Sequence, residues 1–194
     1  MTFDFGPPPE AAPLTIPLNV WDFEDGQVLN WTPTNATQAI ATNPVNSGVN
    51  SLQITAVSGD GRYGFTSPRL AVPNNTYLEY AAWVQAGQDN ANARIQAQFY
   101  DGGGAPVGDL VESEQTAIAS DSWMKLVVQP PVPPPATTFE LSIWFSANRG
   151  GISRIGYVDD MALSDLQLPI QPVAIYTVDL PDAVVGRPYE YQLD

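Results

Sequence analysis

Hydrophobic and polar residues alternate along most of this chain, and they do so in short runs. In the stretch 93–101, Ala93, Ile95, Ala97 and Phe99 alternate with Arg94, Gln96, Gln98 and Tyr100. The stretches 77–85 and 139–146 repeat the pattern, with Leu78, Tyr80, Ala82 and Val84 on one face of the first and Phe139, Leu141, Ile143 and Phe145 on one face of the second. A period of two places such residues on opposite faces of a half-buried strand, and no segment sustains the 3.6-residue period of a helix. Strands are expected near 20–24, 37–41, 51–57, 62–71, 77–85, 93–101, 110–117, 123–129, 139–146 and 155–165. Turn signals punctuate them at SGDG (58–61), PNN (73–75), DGGG (101–104) and NRGG (148–151). Many short strands at regular spacing predict an all-β, antiparallel two-sheet sandwich.

Proline marks the boundaries. Pro7, Pro8, Pro9, Pro13 and Pro17 fix φ and remove donors, so residues 1–19 read as an extended arm rather than a helix or a central strand. Phe3, Phe5, Leu14, Ile16 and Leu18 are apolar residues that a solvated leader seldom carries, so a docking arm stands beside a plain leader as the reading of this segment. PPVPPP (130–135) is expected to be a stiff loop between strands. LPIQP breaks the pattern at 168–172 and is read as a linker.

Two carboxylate-rich motifs bracket the series: VWDFEDG at Val20–Gly26 and YVDDMAL at Tyr157–Leu163. Strand parity puts Asp159 on one face with Tyr157, Met161 and Leu163, toward the core, where a carboxylate needs compensation. The outward faces of the alternating strands carry Glu79, Trp83 and Gln85, then Arg94, Gln96, Gln98 and Tyr100, then Glu140, Ser142, Trp144 and Ser146. Trp83, Tyr100 and Trp144 therefore lie among amides, carboxylates and an arginine. Aromatic platforms with polar neighbours suit the C–H faces and hydroxyl rim of a sugar. They equally suit a subunit interface.

Composition narrows the function classes. The 194 residues carry 7 Lys+Arg against 21 Asp+Glu, a formal net charge of −14, so a phosphate backbone or an anionic leaflet is a poor partner. Neither nucleic acid nor membrane is expected. Cysteine and histidine are both absent, which removes thiolate chemistry, His-ligated metals and the commonest general base. The carboxylates are scattered over turns and exposed faces, so nothing points to catalysis and the chain is read as a non-enzyme. The first residues have neither a basic n-region nor an apolar h-region, so they are not read as a secretory signal.

The stretch from Val20 to about Gln167 resembles the jelly roll of carbohydrate-binding modules of the galactose-binding-like kind. Its marks are Phe23-Glu24-Asp25-Gly26 with Trp31, Ser47-Gly48 ahead of Ser51-Leu52-Gln53-Ile54, Pro73-Asn74-Asn75-Thr76-Tyr77, Ser122-Trp123-Met124-Lys125-Leu126 and Val158-Asp159-Asp160-Met161. The resemblance implies one structural calcium between first and last strands, with Glu24 and Asp159 as side-chain ligands and the loop 46–50 supplying carbonyls. The alternative is that Asp159 accepts backbone hydrogen bonds with no ion. Residues 173–194 resemble the opening of an Ig-like domain found in bacterial surface and phage structural proteins, through Leu180, Pro181, Val185, Gly186, Pro188, Tyr189, Tyr191 and Leu193. These resemblances imply an exterior β-sandwich in a bacteriophage virion, as a capsid decoration or tail protein. It would assemble with itself or other subunits and carry a face for surface glycans. The alternative is a carbohydrate-binding module of a secreted glycoside hydrolase or a bacterial adhesin.

Overall fold

A computed structural model describes residues 14–57, 61–73, 77–87, 91–147 and 154–167. Two antiparallel sheets face each other. The first runs β11 (Met124–Val128), β7 (Leu78–Ala86), β13 (Ile155–Gln167), β4 (Ser51–Ala56) and β3 (Ala36–Ala41), with β1 (Leu14–Trp21) joined to the far half of β13. The second runs β10 (Thr116–Ile118), β8 (Ala91–Tyr100), β12 (Thr138–Ala147), β5 (Arg62–Thr66) and β2 (Thr32–Thr34). In it β9 (Pro106–Glu112) lies along β8, and β6 (Leu70–Ala71) along β12. The arrangement is the expected two-sheet jelly-roll sandwich.

The core is the inward half of each alternation. Leu78, Tyr80, Ala82 and Val84 meet Ala93, Ile95, Ala97, Phe99, Phe139, Leu141, Ile143 and Phe145 between the sheets, all with at most 1% of their surface exposed. Burying each large apolar side chain contributes roughly 1.5–3 kcal/mol. Tyr63 stacks on Phe145 with centroids 5.6 Å apart, and Phe99 lies 5.8 Å from Phe139. Burial pushes the phenols of Tyr63 and Tyr80 well above their ordinary pKa.

Some boundaries differ from the sequence pattern for local reasons. The run 62–71 splits into β5 and β6 around Ser67-Pro68-Arg69, because Pro68 has no N–H for the ladder. Ser67 patches the break: its backbone N–H donates to Leu141 O at 2.8 Å, and its hydroxyl accepts from Leu141 N–H at 2.9 Å. The run 110–117 is likewise two strands, β9 and β10. The linker 168–172 and the Ig-like stretch 173–194 lie outside the described residues, as do Phe3 and Phe5 of the arm.

The arm reading changes at its far end. Leu14, Ile16 and Leu18 belong to β1, which pairs with β13 from Leu14↔Gln167 to Trp21↔Met161. Pro17 is tolerated because, among the described strands, β1 pairs on one side only and the register slips between Pro17 and Asn19. Removing residues 1–19 therefore takes most of a sheet strand and is expected to lower the melting temperature by on the order of 10 °C. Removing 1–13 leaves every described strand in place. Equal melting of the two truncated chains in a thermal scan would contradict this assignment of β1.

Candidate functional site

The two carboxylate motifs meet at one loop. On one side β13 pairs with β4 over Ile155–Val158 and with β1 over Met161–Leu166 and Gln167, which leaves Asp159 and Asp160 with no strand partner there. The register with β7 slips at the same place, between Asp159 and Ala162, and Asp160 has φ 44°. This bulge overturns the parity expected for Asp159. Val158, Met161 and Leu163 are the inward residues, whereas Asp159 pairs with Trp83 on the outer face of the sheet. It is nonetheless fully buried, because the loop 46–50 covers it.

That loop is held by three carboxylates. Asp159 accepts from the N–H groups of Asn46 (2.8 Å), Ser47 (3.2 Å) and Asp160 (2.8 Å). Glu24 accepts from Val49 N–H and Asn50 N–H, each at 3.0 Å. Asp160 accepts from the Asn46 side-chain amide at 2.7 Å and the Ser47 hydroxyl at 2.8 Å. Phe23 sets up Glu24: at φ 61° it turns its ring into the core, 3% exposed, while its neighbours stay outside. Gly48 is required by space and by backbone, since a Cβ there would come within 2.3 Å of Glu24 Oε1 and φ is +62°. Burial raises the Asp159 pKa above the usual carboxylate value, the three N–H groups pull it down, and the neighbouring Asp160 charge raises it.

Two carboxylates facing one loop suit the hard-oxygen preference of calcium. In the structure their oxygens meet N–H donors, so the loop presents amides where calcium takes carbonyls. Bound metal would have to turn these peptides.

The outward aromatics do not form one platform. Trp83 and Glu79 are on β7 in the first sheet, where Trp83 faces Lys125 and Asp159 across the ladder and Glu79 accepts from the Gln129 amide at 2.8 Å. Tyr100, Arg94, Gln96, Gln98 and Trp144 are on β8 and β12 in the second sheet. β7 and β8 are consecutive in the chain but lie in different sheets, so their outer faces look opposite ways.

On the second sheet Trp144 is flanked by Gly64 and Arg94, Ser142 by Thr66 and Gln96, and Glu140 faces Gln98. Arg94 Nη1 lies 3.1 Å from Glu112, which also accepts from the Gln96 amide. The Gln98 amide donates to Phe99 O at 3.1 Å. Arg69 sits 3.9 Å from the Tyr100 ring centroid and 3.3 Å from Glu140, to which the Tyr100 hydroxyl donates at 2.7 Å. Burial, with the hydrogen bond and charge of Glu140, raises the Tyr100 pKa against the opposing effect of Arg69. Arg62 lies 5.1 Å over Trp144, whose indole N–H is shielded from solvent and has no hydrogen-bond partner among the described residues. Sequence parity placed the strands but gave no sign of Arg62, Arg69 or Glu112, because ring-stacking and cross-strand partners depend on which strands become neighbours.

No family model matches the chain, and no curated protein matches it. Solved structures do. The first family 22 carbohydrate-binding module of Paenibacillus barcinonensis Xyn10C, a xylan-binding domain, superposes with a TM-score of 0.62 at 19% identity, covering 81% of this chain and 98% of that one. The module TmCBM61, solved with β-1,4-galactotriose, gives 0.54 at 14% identity over 73% of this chain and 92% of its own. Tailspike protein 4 of bacteriophage CBA120, in its enzymatically active domain, gives 0.58 at 15% identity over 75% of this chain and 20% of that one. The described sandwich therefore has the carbohydrate-binding-module jelly-roll fold.

Replacing Asp159 by alanine strands three backbone donors under the loop and is expected to destabilise the sandwich by on the order of 3 kcal/mol in urea unfolding. A loss below about 0.5 kcal/mol, the size of an ordinary surface substitution, would mean that the loop is held by other contacts.

Proposed function

We propose that this chain is a non-enzymatic exterior β-sandwich that binds surface glycans through the outer face of its second sheet, and that it serves as a structural component of a bacteriophage virion. The observation that carries the reading is that face: Trp144 and Tyr100 with Arg94, Gln98 and Glu140, on a fold shared with carbohydrate-binding modules, Gln96 being buried and committed to Glu112. Indole and phenol rings offer apolar surface to sugar C–H groups, and the amide, guanidinium and carboxylate match hydroxyls. In the free protein Arg62 and Arg69 stack on the two rings, so a sugar must compete with a cation for each ring face. Trp83 and Glu79, on the opposite side, suit a contact with a neighbouring subunit. Similarity to a phage tailspike supports the virion setting. The coverage of nearly the whole xylan-binding domain favours a second reading, a binding module of a secreted glycoside hydrolase or adhesin.

A glycan array followed by calorimetry with xylohexaose and β-1,4-galactotriose tests the binding claim. Saturable binding that falls at least tenfold in Trp144→Ala, and less than twofold in Trp83→Ala, is the expected result. No hit on the array, or equal loss in both variants, would refute the second-sheet site. Recovery of the chain in stoichiometric amounts from purified phage particles separates the virion setting from the secreted one.

The same proposal extends to calcium at Glu24 and Asp159, bound with the peptides of the loop 46–50 turned so that carbonyls replace the N–H groups that meet these carboxylates. Binding to the folded state alone raises apparent stability by mass action. The melting temperature should therefore rise by several degrees from chelator to millimolar calcium, and identical melting curves would remove the ion from the account.

A further inference from the structure

A cleft lies at the side of the sandwich, off both sheet faces. The chain crosses from the first sheet to the second between β1 and β2, and this crossing forms one wall of a cleft of about 350 Å³, with Pro68 and Leu70 from the second sheet opposite. That volume is within the usual range for small-ligand sites, roughly 300–1,000 Å³.

Two fixed indoles line it. Trp31 is 7% exposed and is held edge-on by Phe65, with centroids 5.5 Å apart, while half-buried Trp21 meets Trp31 edge-to-face at 5.5 Å. Ring positions set by packing on both sides present aromatic surface without an ordering cost on binding.

The polar groups around the indoles are uncommitted. The side-chain amides of Gln27 and Asn30 make no hydrogen bond among the described residues, and Asp22 and Asp25 each use only one oxygen, on the backbone N–H two residues ahead. Donors, acceptors and two carboxylates around an indole pair match the hydroxyl rim and the C–H face of a pyranose. No lysine or arginine lines the cleft, and Asp22 and Asp25 repel anions. The second-sheet face has the opposite character, with Arg62, Arg69 and Arg94 among the 7 basic residues of the chain.

We propose that the Trp21–Trp31 cleft is a second glycan site, selective for a neutral pyranose and separate from the second-sheet face. It stands independently of whether that face binds sugar. The five tryptophans give five indole N–H resonances, so a nitrogen–proton correlation spectrum reads each site separately. The probes are the methyl β-pyranosides of xylose, glucose, galactose and N-acetylglucosamine, with methyl β-glucuronide as the charged control. Saturable shifts of the Trp21 and Trp31 resonances with at least one neutral probe are expected. The double variant Gln27→Ala, Asn30→Ala, made at two exposed positions, should weaken that binding at least tenfold. Three outcomes would overturn the site: no shift of these two resonances with any neutral probe, an equal response to the glucuronide, or full binding by the double variant. A shift confined to Trp144 would overturn the cleft and leave the second-sheet reading intact.

Discussion

The sandwich depends on closing a gap along its last strand. β13 is the longest of the described strands, and on one side it is paired first by β4 and then by β1, with Asp159 and Asp160 in the interval between them. A buried stretch of backbone and carboxylate without partners would cost several kcal/mol. The chain meets this by bringing the loop 46–50 over the interval, so that its amides satisfy Asp159 and Glu24 while its side chains satisfy Asp160. Carboxylates fit there because they only accept, and a loop of converging N–H groups only donates. One cluster thus ties together the strand that opens the sandwich, the hairpin β3–β4 and the strand that ends it.

This closure has consequences for the sites on either side of it. Trp83 is paired with Asp159 on the outer face of the first sheet, so the covering loop lies over the same ladder position. The outer face of the second sheet carries the stacked arginines and the carboxylates that hold them. Glu24 lies three residues beyond the end of β1, so the same turn that sends its carboxylate to the loop starts the crossing that walls the Trp21–Trp31 cleft. Two candidate surfaces of unlike charge are thereby built on one rigid frame.

Much of the frame is legible in the sequence, since every residue that alternation assigns to the inner face of β7, β8 and β12 is buried. The bulge at Asp159 is not legible, because a one-residue slip in the ladder leaves the order of residue types unchanged while moving a side chain to the other face. β1 was hidden by Pro17, whose usual meaning is exclusion from a sheet. Here an edge position and a register slip make it acceptable. Splitting the aromatic face needed topology: Trp83 and Trp144 follow the same alternation, and only the pairing of strands tells that they lie in different sheets. The Trp31 motif was visible, but its meeting with Trp21 and Leu70 was not, because that cleft forms between segments from both sheets.

Amide hydrogen exchange at Asn46, Ser47, Val49 and Asn50 tests the closure most directly. These four N–H groups belong to a loop, which ordinarily exchanges fast. If carboxylates lock the loop over the interval in β13, the four amides will be protected to nearly the free energy of global unfolding, with the protection of Asn46 and Ser47 lost in Asp159→Ala and that of Val49 and Asn50 lost in Glu24→Ala. Exchange at the rate of an unprotected peptide in the wild-type protein would contradict the account.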